Sequence, residues 1–105
     1  METERYDIIE GPGSPSICLG MARGNWFTTC CTAKDFSLNI TGQTRDIFDV
    51  FNRHMAEAGT DISKVLFVQF WLKHMSDYDA VNAVWADWID AENPPARSCV
   101  RADMA

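Results

Sequence analysis

Residues 65–72 read Val-Leu-Phe-Val-Gln-Phe-Trp-Leu, an apolar run broken only by Gln69. A run this short and this rich in β-branched and aromatic side chains predicts a strand, and its near continuity predicts burial on both faces. On its N-terminal side the period changes. Across Thr41–Ala58, Ile47, Val50, Phe51, Met55 and Ala58 recur at helical intervals, and Gly59 follows as a C′ residue. On its C-terminal side, Ser76 with Asp79 reads as a capping box with Asp in place of Glu or Gln. It opens a second helix whose face is Tyr78, Val81, Val84, Trp85 and Trp88. Pro94 and Pro95 forbid continuation of that helix, and residues 96–102 read as a last strand. Ahead of the first helix lie three short strand candidates at 6–9, 17–22 and 26–32. Glu-Gly-Pro-Gly-Ser-Pro separates the first two, Arg23-Gly24-Asn25 makes the last two a hairpin, and residues 34–39 form a polar loop. The order β-β-β-α-β-α-β predicts an α+β domain, a single sheet with two helices packed on one face.

The chain of 105 residues is one domain, and an apolar content of 47% makes it globular rather than disordered. Its net charge of −6 argues against a nucleic-acid footprint, which needs a basic patch. No apolar run reaches the length of a membrane span, and the N-terminus Met-Glu-Thr-Glu-Arg is unlike a secretory leader. Cysteines at 18, 30, 31 and 99 lack Cys-x-x-Cys spacing. They read as free thiols of a protein in the reducing cytoplasm, with no metal or cofactor implied.

Chemistry concentrates in Asn93-Pro-Pro-Ala-Arg-Ser-Cys-Val100. The prolines make a stiff lead that delivers Arg97 to the start of a strand, where a guanidinium can take a carboxylate through two parallel hydrogen bonds. The plainer alternative is a solvated arginine at a strand end. Adjacent Cys30 and Cys31 face opposite sides of a strand and read as inert, packed thiols. Cys99 lies two residues beyond Arg97, and a positive neighbour can activate a thiol. His54 and His74 share no spacing and read as surface or helix-flank residues; Trp85 and Trp88, at i and i+3, read as core and subunit contacts.

Several motifs in order resemble the Rid family, also called the YjgF/UK114 family. They are Gln43-Thr44, Ala58-Gly59, Asp61-Ile-Ser-Lys-Val65, Leu72-Lys-His-Met-Ser-Asp-Tyr78, Val81-Asn82 and Pro95-Ala-Arg-Ser-Cys-Val100, with Gly24-Asn25 in the early turn. The resemblance covers roughly residues 16–105, and Trp85-Ala-Asp-Trp88 is more similar to divergent bacterial branches. It implies a fold like bacillar chorismate mutase, a homotrimeric barrel with ligand clefts between subunits, and no metal or organic cofactor. The implied activity is hydrolysis of reactive enamines and imines to 2-keto acids and ammonia, as in RutC-like deaminases. By the same resemblance Arg97 would hold the substrate carboxylate, and the backbone at Cys99 would lie near the imine carbon and attacking water. Ile17, Cys30, Cys31 and Asn82 would line the cleft.

Three departures bear on catalysis. Ile17 stands where the active deaminases have a tyrosine, and Cys30-Cys31 where they have Ser-Gly. The family also continues beyond this point with a turn and a strand bearing a water-activating glutamate, so the chain is expected to be a shortened form with sheet edges left open. Two readings follow, an imine hydrolase or a non-catalytic relative that binds small 2-keto or 2-imino acids as a sensor or interaction protein. An activity on RNA finds no basic surface.

Overall fold

The computed structural model describes residues 1–103. Strands β1 (Thr3–Ile9), β2 (Ile17–Arg23) and β3 (Trp26–Thr29) precede helix α1 (Ile40–Ala58). Strand β4 (Phe67–Leu72), helix α2 (Tyr78–Trp88) and strand β5 (Ala96–Arg101) complete the order read from the sequence. The class is α+β, with the two helices side by side against the strands. No helix among the described residues is long and apolar enough to cross a membrane.

Local chemistry sets the boundaries. Asn39 caps α1 by accepting from the Gly42 N–H at 2.8 Å. Gly59 ends the helix in the left-handed region, φ 79°, as its position after Ala58 predicts. Gly24, φ 57°, takes the first central position of a two-residue turn that sets Arg23 opposite Trp26. The Ser76–Asp79 capping box does not form. A 3-10 turn at Met75–Asp77 leads straight into α2, and Asp77 at the cap position makes no side-chain cap bond. The β3 candidate is also shortened: pairing ends at Thr29, so Cys30 and Cys31 lie just past the strand. One further backbone bond, Cys30 N–H to Leu19 O at 2.8 Å, keeps Cys30 in line with the hairpin.

The single sheet resolves into two hydrogen-bonded ladders, an antiparallel β1-β2-β3 and a parallel β4-β5. Connection length explains the difference. Short turns join β1 to β3 and permit antiparallel pairing, whereas β4 and β5 are joined through α2, a crossover that brings them parallel.

Burial of β4 on both faces is not observed. Leu72 is buried and Phe70 packs edge-on to Phe48 and Trp85, so this row faces the helices. The alternate row is open within the chain, with Phe67 58% and Trp71 55% exposed, and Leu66 lies outside the strand. Phe48, Val50, Met55, Leu72, Val81 and Val84 form the core, and Phe48 stacks on Trp88 at 4.0 Å.

Candidate functional site

Arg97 is the second residue of β5 and lies beside Val68 in the parallel register. The residue is half-buried rather than free in solvent. Helix α2 explains why. Tyr78, Asn82 and Trp85 stand at i, i+4 and i+7, one face of the helix, and all three meet the arginine. Arg97 Nη2 donates to Asn82 Oδ1 at 2.5 Å. The guanidinium carbon lies 4.9 Å from the Trp85 ring centroid, 5.0 Å from Phe70 and 5.6 Å from Tyr78. Arginine suits such a collar because its planar cation is weakly hydrated and stacks on ring faces. Among the described residues Arg97 has no carboxylate partner and only the Asn82 hydrogen bond, so most of its N–H groups remain available. A guanidinium held on one side in this way keeps donors whose geometry matches a planar anion such as a carboxylate.

The other sequence-predicted residues fall into two groups. Cys99 is half-buried, two positions along β5 and beside Phe70 in the register. Ile17, exposed, opens β2, and Cys30 and Cys31 lie just past the end of β3; all three are on the side of the antiparallel ladder and not in the ladder that carries Arg97. Cys30 is exposed and Cys31 half-buried. Burial, reinforced by neighbouring Cys30, pushes the Cys31 thiol up to about 11, so it stays protonated at neutral pH. Two recesses, one of about 410 Å³ lined by Lys73, His74, Arg101, Ala102 and Asp103 and one of about 240 Å³ between α1 and α2, do not include Arg97.

His54 is a correction. It is not a surface residue but is fully buried, 0% exposed. Its Nδ1 lies 2.7 Å from Thr29 Oγ1 and its Nε2 2.8 Å from Asp7 Oδ2, and its ring stacks on Tyr6 at 5.5 Å. Arg53 grips the same carboxylate with both Nη atoms, at 3.1 and 2.6 Å. Hydrogen bonds from Arg53 and then His54 hold the Asp7 carboxyl down at about 2. Burial, aided by the hydrogen bond to Glu4, pushes the Tyr6 hydroxyl up to about 12. Regular strand alternation cannot point both Tyr6 and Asp7 at one ring. Asp7 has φ 54°, and that left-handed kink inside β1 turns its carboxylate to the same side. Opposite, Gly20 touches the ring so closely that an added Cβ would stand 2.6 Å from Nδ1. Helical spacing alone could not find this cluster, because its partners come from three strands.

Two helices against an antiparallel ladder and a parallel strand pair define an α+β fold, with Arg97 set between the parallel pair and α2. The chain belongs to the family described as Endoribonuclease L-PSP, whose pattern matches residues 28–105. A RutC family protein from Haemophilus influenzae is 33% identical over 67 residues, 64% of this chain and 58% of that protein. A 3-aminoacrylate deaminase RutC from Acinetobacter baylyi is 32% identical over 66 residues, 63% of this chain. The match spans only 52% of the Acinetobacter protein's length. A solved member of the YjgF protein family from Neisseria meningitidis superposes with a TM-score of 0.84 at 26% identity, covering 100% of this chain and 84% of that one. The family resemblance and the α+β fold expected from the sequence are therefore borne out.

Proposed function

We propose that the protein is a hydrolase of small carboxylated enamines or imines, acting in the cytoplasm, with Arg97 as the carboxylate grip. The observation that carries this reading is the guanidinium held by Asn82 and three rings with no carboxylate of its own among the described residues. The chemistry asks little of the protein. A protonated imine carbon is electrophilic; water adds to it, the carbinolamine collapses, and a 2-keto acid and ammonia leave. Fixing the carboxylate and orienting that water supplies most of the catalysis. The backbone at Cys99, two residues along the same strand, is the proposed neighbour of the reacting carbon, with Asn82 as orienter of Arg97.

A cleft of this kind needs walls that one chain does not bring to Arg97. We therefore place Ile17, Cys30 and Cys31 of a neighbouring subunit across from it in a homotrimer, with the open row of Phe67 and Trp71 turned inward. The relative named 3-aminoacrylate deaminase supports a deaminating activity. An activity on RNA is disfavoured by the net charge of −6.

A second reading, non-catalytic binding of a 2-keto or 2-imino acid, is favoured by particular side chains. Ile17 has no hydroxyl, and the Cys31 thiol at about 11 offers no base at neutral pH. The Arg97→Ala variant separates the ideas. Turnover of 2-iminobutyrate should vanish while the assembly survives, and undiminished turnover would refute the carboxylate grip. Affinity for a keto acid without turnover in the wild type selects the second reading.

A further inference from the structure

Trp85 belongs to an aromatic cluster that does more than fill space. Its ring is locked by edge-on contacts to Phe70 at 5.7 Å, Phe48 at 6.4 Å and Trp88 at 5.8 Å. Of the three rings around Arg97 it is the nearest to the guanidinium carbon, at 4.9 Å, and indole is the strongest cation-binding ring. An unheld arginine loses the freedom of a long side chain when it takes a ligand, and that loss subtracts from affinity. A ring that is itself immobile removes most of that loss beforehand.

We propose that Trp85 is a positioning residue for Arg97, its immobilised indole pre-setting the guanidinium so that carboxylate affinity at this corner depends on the ring. The proposal rests on the reading of Arg97 as the carboxylate grip. Asn82 fixes one Nη by a directional bond, and Trp85 fixes the plane of the cation; the two constraints are complementary. Trp88 supplies an internal control. It shares the cluster, stacks on Phe48 at 4.0 Å and donates its Nε1–H to Asn52 Oδ1 at 2.8 Å, while the ring contacts of Arg97 are with Phe70, Tyr78 and Trp85.

The test uses the full chain with Trp85→Leu, Trp85→Phe and Trp88→Leu, each checked for folding by circular dichroism. The first measurement needs no ligand: ring currents should displace the Arg97 side-chain NMR resonances in the wild type. The displacement should fall most in Trp85→Leu, leaving the part due to Phe70 and Tyr78, fall less in Trp85→Phe, and largely persist in Trp88→Leu, where Phe48 and Phe70 still hold Trp85. If Trp85→Leu does not fold, the Phe variant and the Trp88 control still decide, since a smaller ring must reduce the displacement and a distant one must not. The second measurement is the Kd for 2-ketobutyrate, expected to rise about tenfold in Trp85→Leu and to stay within about twofold in the other two. Unchanged Arg97 resonances in Trp85→Leu, or equal effects from Trp88→Leu, would overturn the proposal. If Arg97→Ala binds 2-ketobutyrate as well as the wild type, or the wild type does not bind it, the carboxylate grip fails. The affinity half of the proposal then fails too, and the resonance shifts alone judge the positioning.

Discussion

Gly20→Ala isolates the contact that ties the N-terminal hairpin to α1. The new methyl carbon would stand 2.6 Å from His54 Nδ1, 3.1 Å from Cγ and 3.2 Å from Cε1. The imidazole cannot retreat freely, because it is fully buried, stacked on Tyr6 and bonded at both nitrogens. Overpacking of this kind costs about 1–3 kcal/mol, and displacing the Thr29 hydrogen bond adds about 1 kcal/mol. Removing a strand glycine returns roughly 0.5–1 kcal/mol of chain entropy, which leaves a net loss of about 1–3 kcal/mol. For a chain this size that lowers Tm by roughly 5–20 °C, read by calorimetry at fixed protein concentration. The same substitution in a His54→Ala background should cost almost nothing, since the ring it meets is gone. An equal loss in both backgrounds would refute the steric argument and place the cost in the strand itself.

Asp7 gives an acid-dependent term. Its folded value of about 2 lies below the ordinary 3.8, so the native state favours its ionised form. That stability is complete above about pH 4 and disappears as pH falls towards 2. It is worth about 1 kcal/mol once the solvent reaching the carboxylate is allowed for. Urea midpoints should fall across that window in the wild type and flatten there in Asp7→Asn, and a wild-type curve without the fall refutes it. The cysteines give a reactivity order. At pH 8, iodoacetamide should label exposed Cys30 well before Cys31, whose half-buried thiol is pushed up to about 11, and peptide mapping that finds Cys31 modified first contradicts the assignment.

The fold was legible where periodicity or punctuation acts locally. Gly59 stops α1, the proline pair delivers β5, and the helical stripe of α1 is carried by Val50 and Met55 as read. It was less legible where the cause is distant. The run at 65–72 looks like a doubly buried strand because hydropathy counts side chains without saying what covers them. Within one chain, more than half of Phe67 and of Trp71 stays exposed. His54 was missed for a similar reason. Its position on the inner face of α1 is visible, yet its partners Asp7 and Thr29 are 47 and 25 residues away. No rule of spacing joins them, and the kink at Asp7 breaks the one rule that applies to β1. Gly20 was a usable signal, because a glycine inside a strand asks what approaches it. At the Arg97 corner, Asn82 was found by resemblance, while Phe70, Tyr78 and Trp85 were read only as strand and helix-face residues; counting i, i+4, i+7 along α2 would have put Tyr78 and Trp85 beside Asn82.

The two polar constellations differ in a way that decides between them as sites. Around His54 every valence is closed: both imidazole nitrogens are bonded, both Asp7 oxygens are taken, and no solvent reaches the ring. An Asp–His–hydroxyl chain of these lengths has the spacing of a catalytic relay, but a base that no substrate can approach does not act as one. Its work is to bind β1, β2 and β3 to α1. Around Arg97 the balance is reversed. Orientation is fixed from one side by Asn82, Phe70, Tyr78 and Trp85, and the charge is left without a counter-ion among the described residues. A part-buried cation kept in that state is what the proposed carboxylate grip requires, since a visiting anion would offset its charge and a small carboxylate would suit its remaining donors.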